Sequence, residues 1–236
     1  MADAILVVNA GSSSIKFTVF HVGPGQALEA GPDGQVDGIG TRPHFAVRAP
    51  GARRSSTATC PASGARITGA RWMRFAHGWG APRRRSTGGR GHRVVHGGSQ
   101  YAAPVLIDAE VMAGLERLVP LAPLHQPHNL AAIRATAASS PDLPQVACFD
   151  TAFHQTQPPV AQVVALPREL AAEGVRRYGF HGLSYEYIAS ALPRRGAWVA
   201  AGRVVVAHLG NGASLCAMDG GGAWRRPWAS RPSTAS

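Results

Sequence analysis

The chain has 236 residues, 45% of them hydrophobic, so it is long enough to bury a core in one large domain or two small ones. No stretch approaches the roughly 18 apolar residues of a membrane span, and the amino terminus lacks the basic region of a signal peptide. The net charge of +11 comes from two arginine-rich segments, residues 41–90 and 221–236, because the remainder is slightly acidic.

A β-hairpin is predicted over residues 5–20, where two β-rich runs flank a turn of small residues. Gly11 allows close backbone approach, and the serines and N–H groups that follow it suit a phosphate. Lys16, the only lysine in the chain, adds a positive charge, and Asn9 offers a neutral oxygen suited to a Mg²⁺ shell shared with phosphate. An ordinary Ser/Gly turn is the alternative, and the spacing excludes a P-loop.

Residues 27–90 give little sign of regular packing. Residues 27–40, rich in Gly, Asp and Pro, predict loops around a short strand. Residues 41–90 contain eleven arginines and no acidic residue, and they predict a segment that does not pack. One interpretation is a nucleic-acid-binding insert whose aromatic residues stack on bases, namely Trp72, Phe75 and Trp79. The favoured interpretation is an unstructured segment or one read in a shifted frame, since a charge run without a fold signature is weak evidence for binding.

From residue 91 onward strands and helices alternate, which predicts an α/β fold. The predicted helices cover residues 106–118, with Asp108 as the N-cap, about 129–138, and 185–192. The predicted strands cover residues 94–95, 145–149, 203–209 and 215–218. Polar residues at strand ends or in glycine turns are expected to gather in one cleft, as they do in α/β folds: Asn9, Arg93, Asp150, His181, His208 and Asn211.

Each of these polar positions also has a structural interpretation. Arg93, flanked by valine, suits either a buried ion pair or a bidentate anchor for carboxylate or phosphate. Asp150 could hold a metal, act as a base or cap the next turn. A lone histidine such as His181 is more often structural than functional. Residues 210–212, Gly-Asn-Gly, suit a type I′ turn or a backbone concavity for phosphate.

Six motifs occur in this order along the chain: NAGSSSIKF, HRVVHGG, PLHQPHN, FDTAFH, YGFHGLS and AHLGNGAS. In this combination they closely resemble the acetate kinase family, of the acetate and propionate kinase type. The resemblance implies an α/β fold of the actin/hexokinase/Hsp70 type, built from ribonuclease H-like domains with a nucleotide cleft between them. The expected parts are a first domain from 1–40 and 91–195, an atypical insert from 41–90, the start of a second domain from 196–220, and an atypical tail from 221–236.

The resemblance also implies a reaction, in which ATP phosphorylates acetate or another short-chain carboxylate to an acyl phosphate, with Mg²⁺ (or Mn²⁺) as cofactor. It gives catalytic roles to Asp150 and His181 and the metal role to Asn9. The implied substrate-binding residues are Arg93, Val95, Leu124 and Phe180. The implied ATP-binding residues are Ser12, Lys16, His208, Leu209, Gly210, Asn211 and Gly212.

General phosphoryl-transfer chemistry agrees with the implied roles. The reaction depends on in-line positioning and on neutralising the phosphoryl oxygens more than on covalent help. Arg93 can fix a carboxylate with two hydrogen bonds, and His181 can donate to a phosphoryl oxygen. Because acetate is already ionised at neutral pH, orienting the carboxylate or the Mg²⁺ suits Asp150 better than general-base catalysis.

Departures from the family's pattern leave alternatives open. Leu183 and Tyr185 stand where the family usually has Thr and His, at a predicted helix start. Family members continue past residue 236 with further active-site residues, which predicts a truncated chain with little or no kinase activity by itself. The alternatives are therefore an inactive kinase remnant and a basic nucleic-acid-binding protein that acts through residues 41–90.

The expected partners are a short-chain carboxylate and ATP, with no specific nucleic acid and no membrane. A homodimer is expected for an intact family member. The three cysteines, Cys60, Cys148 and Cys216, are widely spaced and form no metal or disulfide pattern. They predict a reducing, cytoplasmic location.

Overall fold

The structure, a computed structural model, describes residues 4–39, 42, 44–52, 56–59, 87–210 and 212–225. The chain divides into two compact units. Unit 1 comprises Met1–Val94 and Pro104–Cys148, and unit 2 comprises Val95–Ala103 and Phe149–Ser236. This division does not coincide with the expected change of domain at residue 195, and the expected domain limits stay a prediction.

Strands and helices alternate in the described ranges, which confirms the α/β class. The strands are β1 (Ala4–Ala10), β2 (Ser14–Val22), β3 (Leu28–Asp37), β4 (His44–Arg48), β5 (Ser56–Thr59), β6 (Thr87–Val94), β7 (Val105–Leu106), β8 (Gln145–Phe149), β9 (Arg203–His208), β10 (Ser214–Asp219) and β11 (Gly222–Arg225). The helices are α1 (Ala109–Arg117), α2 (Gln126–Ser139), α3 (Pro159–Gln162), α4 (Arg168–Ala172), α5 (Gly182–Ala191) and α6 (Ala197–Ala201). Short 3₁₀ segments lie at Pro24–Gln26, Val119–Leu121, Ala152–Thr156 and Leu192–Arg195.

Unit 1 is built on an eight-stranded sheet in the order β5-β4-β3-β2-β1-β6-β8-β7. Strand β1 pairs antiparallel with β2 and parallel with β6. The predicted hairpin is thereby confirmed, with Asn9 directly opposite Lys16. Residues that face each other across an antiparallel pair project to the same side, so Asn9 and Lys16 share one face of the sheet.

The other face of this sheet carries the core of unit 1. Side chains alternate along β1, with Leu6 and Val8 buried and Val7 and Asn9 exposed. The buried apolar residues come from four strands and from helix α2: Ala4, Leu6, Val8, Ala10, Ile15, Phe17, Val19, Val36, Phe45, Val47 and Ala132. The alternation therefore leaves the polar residues at the end of β1 on the face away from the core.

The prediction of loops around a short strand in residues 27–40 is wrong, because Leu28–Asp37 forms a ten-residue strand paired with β2 and β4. Its glycines have a packing role that composition did not reveal. A Cβ on Gly34 would lie 2.5 Å from Cζ of Phe17, its partner in the register, so the aromatic ring occupies the space of the missing side chain. Gly34 therefore packs against the Phe17 ring within a strand, although glycine is a residue typical of turns.

The prediction that residues 41–90 do not pack is wrong for two described stretches. In β4, Phe45 and Val47 are buried in the core, and the Phe45 ring stacks on that of Phe17 with centroids 6.0 Å apart. Strand β6 begins at Thr87 and includes the buried Arg90. Only two side chains of β4 alternate into the core, and so short a pattern is not recognisable in an arginine-rich sequence. The proposed base-stacking residues 72, 75 and 79 lie outside the described residues.

The helix predictions are confirmed in place and shifted at some ends. Asp108 caps α1 as predicted, and its carboxylate accepts a hydrogen bond from the Val111 N–H at 2.8 Å. Helix α2 begins at Gln126, about three residues before the predicted start, with a proline in its first turn. Helix α5 begins at Gly182 rather than residue 185, because His181 serves as its N-cap.

Unit 2 contains an antiparallel three-stranded sheet in the order β11-β10-β9. Helix α5 packs onto it through Tyr185, which is fully buried with Cys216, Met218 and Ala223. The predicted strands 203–209 and 215–218 are confirmed within one residue at each end. None of the helices in the described ranges is long and apolar enough to cross a membrane.

Candidate active site

In unit 1 three of the predicted site residues lie side by side on the neighbouring strands β1, β2 and β6. The register pairs Val8 with His92 in the parallel β1–β6 ladder, which places Asn9 beside Arg93 on the neighbouring strand. The Arg93 Nη1 donates to Asn9 Oδ1 at 3.4 Å. Lys16, opposite Asn9, is exposed on the same face. The sheet therefore gathers an amide oxygen and two cationic side chains in one place, which suits an anionic ligand.

Strand β6 holds Arg93 in place through its buried neighbours. Residues Arg90, His92 and Val94 point into unit 1, so Arg93 projects to the opposite face. The His92 Nε2 lies 2.8 Å from Gln145 Oε1 on β8, which ties the two strands together through their side chains. The pKa of His92 is lowered to about 4, chiefly by burial, with a smaller lowering from the charge of Arg90, while the hydrogen bond to Gln145 raises it. His92 is therefore a neutral structural histidine.

The remaining predicted residues of unit 1 lie in exposed connections. Ser12 is exposed at the tip of the β1–β2 hairpin, which is closed by a hydrogen bond from the Gly11 N–H to the Ser14 carbonyl at 2.8 Å. Leu124 is 70% exposed in the turn before α2. Helix α2 is itself fastened to β1, because Asn129 Nδ2 donates to the Ala10 carbonyl at 2.6 Å.

In unit 2 the His-Gly-Gly motif, residues 96–98, forms a buried turn. Nδ1 of His96 accepts from the Gly98 N–H at 2.9 Å, and burial lowers the pKa of His96. The Gly97 N–H donates to Thr151 Oγ1 at 3.0 Å, and a Cβ on Gly97 would lie 2.8 Å from Cγ of Phe149. Only glycine fits this approach, so the motif fixes the backbone beside the predicted substrate residue Val95, which is also buried.

Asp150 lies in unit 2 directly after β8 and is only 3% exposed. Its carbonyl accepts from the Gly182 N–H at 2.8 Å. A Cβ on Gly182 would lie 2.2 Å from that carbonyl oxygen, so the approach of α5 to the Asp150 turn requires glycine. The predicted residue Phe180 is two positions earlier, and its carbonyl lies 2.9 Å from Nε2 of the buried His154.

Two predicted histidines of unit 2 form a stacked pair. The rings of His181 and His208 are nearly parallel, with centroids 4.1 Å apart and an interplanar angle of 16°. His181 adopts a left-handed backbone with φ of 60°, a conformation that costs energy in a non-glycine residue and is often found at functional sites. A Cβ on Gly212 would lie 3.4 Å from Nε2 of His181, so this nitrogen faces the glycine loop.

The Nδ1 atom of each of these two histidines lies within hydrogen-bonding distance of a serine hydroxyl. His181 Nδ1 lies 2.7 Å from Ser214 Oγ, and His208 Nδ1 lies 3.0 Å from Ser184 Oγ. Ser214 Oγ in turn lies 2.5 Å from the hydroxyl of Tyr185. These hydroxyls were not predicted as site residues, although both serines belong to quoted motifs. The available signal was a serine close in sequence to a histidine predicted to be a site residue, but the hydrogen-bond partner of that serine could not be read from spacing.

The structure thus brings together Asn9, Lys16 and Arg93 in unit 1, and His181, His208 and Gly212 in unit 2. Leu209 is 80% exposed, and Gly210 is exposed beside it. The predicted residue Asn211 lies outside the described residues. Among the residues that are described, no group of three or more His, Cys, Asp or Glu side chains could hold a metal ion. Of the cysteines in the described residues, Cys148 and Cys216 are free.

The sequence profile of the Acetokinase family matches residues 4–225. The chain belongs to this family. The acetate kinase of Nitrobacter hamburgensis is 56% identical over 231 residues, which cover 93% of this chain and 54% of that relative. The acetate kinase of Rhizobium meliloti is 50% identical over 238 residues, which cover 98% of this chain and 59% of that relative. The acetokinase chain therefore spans somewhat more than half the length of these relatives.

Solved structures of acetokinase relatives show the same fold. A propionate kinase from Francisella tularensis matches with a TM-score of 0.82 and 32% identity, covering 96% of this chain and 57% of that one. The acetate kinase of Porphyromonas gingivalis matches with a TM-score of 0.78 and 32% identity, covering 95% and 57%. The predicted actin/hexokinase/Hsp70-type fold is confirmed. The family match includes residues 41–90, so the likeness extends beyond the stretches that the six motifs cover.

Proposed function

We propose that this protein is a carboxylate kinase that transfers the γ-phosphoryl group of ATP to acetate or another short-chain carboxylate. A carboxylate oxygen forms a bond to phosphorus while the bond from phosphorus to the ADP oxygen breaks, giving an acyl phosphate and ADP. The observation that carries the proposal is the family match over residues 4–225, which includes every residue given a role. The two most similar relatives named above are acetate kinases.

Arg93 is the proposed anchor for the carboxylate. Its guanidinium offers several donors in a planar fork that matches the two oxygens of a carboxylate. The Asn9 contact at 3.4 Å is at the long end of a hydrogen bond, so little is lost when an anion competes for the same N–H group. Val95, Leu124 and Phe180 are the proposed neighbours of the acyl group, and Lys16 and Ser12 are proposed to contact the phosphates of ATP.

The stacked histidines of unit 2 are the proposed phosphoryl contacts. Nε2 of His181 faces the glycine loop, and a donor fixed there can stabilise charge on the phosphoryl oxygens in the transition state. The loop from His208 to Gly212 supplies backbone N–H groups of the kind that bind phosphate. Asp150, buried and with its carbonyl bound by the Gly182 N–H at the start of α5, is proposed to orient the carboxylate or the metal rather than to act as a base.

The residues present could hold Mg²⁺ if phosphate oxygens and water supplied most of its ligands. Such an ion needs one or two protein ligands, since it keeps water and phosphate oxygens in its shell. Asn9, which is exposed, is the proposed protein ligand. When bound, the ion neutralises charge on the phosphate oxygens. A cytoplasmic location and a homodimer of the intact protein are parts of the same proposal.

The direct test is trapping of the acyl phosphate with hydroxylamine in the presence of ATP and Mg²⁺. Acyl hydroxamate from acetate would support the proposal and contradict the expectation that this chain by itself has little or no kinase activity. Comparison of acetate, propionate and butyrate by kcat/KM then assigns the preferred carboxylate. Absence of product from all three would contradict the proposal for this chain and favour an inactive remnant. A rise in melting temperature with ATP and Mg²⁺ would then show that nucleotide binding survives.

Replacing the carboxylate anchor gives a sharper test. Arg93→Lys keeps the positive charge and removes the planar pair of donors, so kcat/KM for acetate should fall about tenfold or more, with little change in KM for ATP. Arg134→Lys is the matched control, because Arg134 lies on the exposed side of α2 and pairs with Glu116 at 2.6 Å. Equal losses in both variants would show that Arg93 is not the anchor.

A further inference from the structure

A line of hydroxyl groups connects the interior of unit 2 to the ring of His181. Tyr185, 0% exposed, places its hydroxyl 2.5 Å from Ser214 Oγ, and the same oxygen lies 2.7 Å from His181 Nδ1. We call these three side chains the hydroxyl relay. Tyr185 and His181 are at the start of α5, whereas Ser214 begins β10, so the relay also joins the helix to the sheet.

The chemistry of the three groups gives the relay a preferred direction. A serine hydroxyl has one proton and can accept further hydrogen bonds, so Ser214 can accept from one neighbour while it donates to the other. A phenol is the more acidic hydroxyl, which makes Tyr185 the better donor of the two. When Tyr185 donates to Ser214, cooperative polarisation strengthens donation from Ser214 to His181 Nδ1.

We propose that Tyr185 is a positioning residue that acts through Ser214 to hold His181 as the tautomer with its proton on Nε2. That nitrogen faces Gly212, where a Cβ would lie only 3.4 Å away. The ring stack with His208 at 4.1 Å limits rotation of the imidazole plane. The relay thus fixes both the orientation of the ring and the position of its proton.

The consequence for the reaction rests on the proposed function. A neutral His181 with an Nε2 proton can donate to a phosphoryl oxygen without first acquiring a charge. The opposite tautomer would present a lone pair to the same oxygen and repel it. Tyr185 stands where the family usually has histidine, so this chain has a phenol in place of an imidazole behind the phosphoryl contact.

The tautomer can be measured directly by nitrogen NMR on the full chain labelled with ¹⁵N-histidine, with His181 assigned from its loss in His181→Gln. We expect the neutral His181 to carry its proton on Nε2. In Tyr185→Phe, which keeps the buried ring, Ser214 loses its donor and becomes free to accept from Nδ1–H. The Nδ1–H tautomer should then become measurably populated.

The control is Tyr187→Phe, which removes the hydroxyl of an exposed tyrosine two residues away on the same helix. It should leave the His181 signals unchanged. Ser214→Ala provides a second variant if Tyr185→Phe does not fold, and it should change the tautomer as well. An Nδ1–H tautomer in the unmodified chain, or unchanged His181 signals in Tyr185→Phe, would overturn the proposal. A change in Ser214→Ala alone would give the role to Ser214 and overturn that of Tyr185.

A kinetic measurement adds what a purely structural residue would not show. Because the donor acts on charge that develops in the transition state, Tyr185→Phe should lower kcat about tenfold and change KM for both substrates less than about twofold. If Tyr185→Phe raised KM by the same factor by which it lowered kcat, the positioning role would be contradicted. A chain without kinase activity would contradict the proposed function, whereas the NMR comparison would still decide the role of Tyr185.

Discussion

At the scale of single residues, the histidines of this chain have different environments. His92 is buried against Gln145, and burial holds its pKa far below the ordinary value. His181 and His208 are partly exposed and stacked, with serine hydroxyls on their Nδ1 atoms. The first environment favours a neutral structural group, while in the second the Nδ1 atoms are the ones that contact the hydroxyls. The burial and hydrogen-bond partners therefore distinguish His92 from the two histidines for which a functional role is proposed.

The environment of His92 predicts a loss of stability in mild acid. The folded pKa of about 4 lies below the ordinary value of 6.5, so the unfolded chain binds more protons between these limits. The part of the free energy of unfolding that depends on a neutral His92 is fully present above pH 6.5 and is lost as the pH falls towards 4. Its upper limit is about 3 kcal/mol. Urea unfolding between pH 4 and 7 should show a weaker pH dependence in His92→Gln than in the unmodified chain.

The matched control for this measurement is His128→Gln, since His128 is exposed on α2. Its pH dependence should follow that of the unmodified chain. If His92→Gln retains the full acid sensitivity, other groups must account for it, and the burial of His92 is then not its cause.

At the scale of elements, the positions of the helix starts depend on backbone contacts rather than on helix propensity. Helix α5 begins three residues earlier than its sequence pattern indicated, because His181 takes a left-handed conformation and Gly182 meets the Asp150 carbonyl. A similar close approach places Gly97 against Phe149. Glycines in the motifs of unit 2 therefore fix how closely successive elements pack.

The contact at Gly182 gives a test of this interpretation. Gly182→Ala would place a Cβ 2.2 Å from a backbone oxygen, so the helix start or the Asp150 turn must shift. We expect a loss of about 1–3 kcal/mol or more in the free energy of unfolding, measured with urea. Gly91→Ala is the control, because its Cβ would meet only a Val7 methyl at 3.9 Å. Similar unfolding midpoints for the two variants would refute the close approach.

At the scale of the whole molecule, the excess positive charge is concentrated in residues 41–90 and 221–236, which contribute few of the described core residues. Residues 41–90 carry eleven of the basic side chains, yet the described part of that segment includes Phe45 and Val47 of β4, which are buried, and the buried Arg90. Burial lowers the pKa of Arg90, which donates to Ser140 Oγ at 3.4 Å within unit 1. Part of the excess charge therefore has a structural role, and a high net charge alone does not indicate nucleic-acid recognition.

The charge distribution predicts binding to duplex DNA that depends on salt and not on base sequence. Arginine contacts to phosphate release counterions, so affinity should fall steeply as the salt concentration rises from about 50 to 200 mM. Filter binding with two duplexes of unrelated sequence should give matching salt curves for the full chain. A preference for one duplex that persists at the higher salt would favour the alternative of a nucleic-acid-binding protein.

Much of the fold was predictable because local patterns and tertiary structure agree. The hairpin, the Asp108 cap and strand β8 follow from alternation, capping chemistry and short apolar runs. Strands β3 and β4 were missed because glycine and arginine dominate their composition. Their stability comes from neighbours: Phe17 packs over Gly34, and Phe45 stacks on Phe17. Those contacts join residues that are distant in sequence and cannot be read from either segment alone.

The sequence by itself determined the α/β class, the family and the residue types available for chemistry, because these depend on local order and motif content. Tertiary structure alone decided that Asn9 lies beside Arg93 and that His181 stacks on His208. It also decided that Tyr185 reaches Ser214, since the first residue belongs to a helix and the second to a strand. The physical reason is that hydrogen bonds and ring contacts depend on distances of a few ångströms, which only the packing of the elements sets.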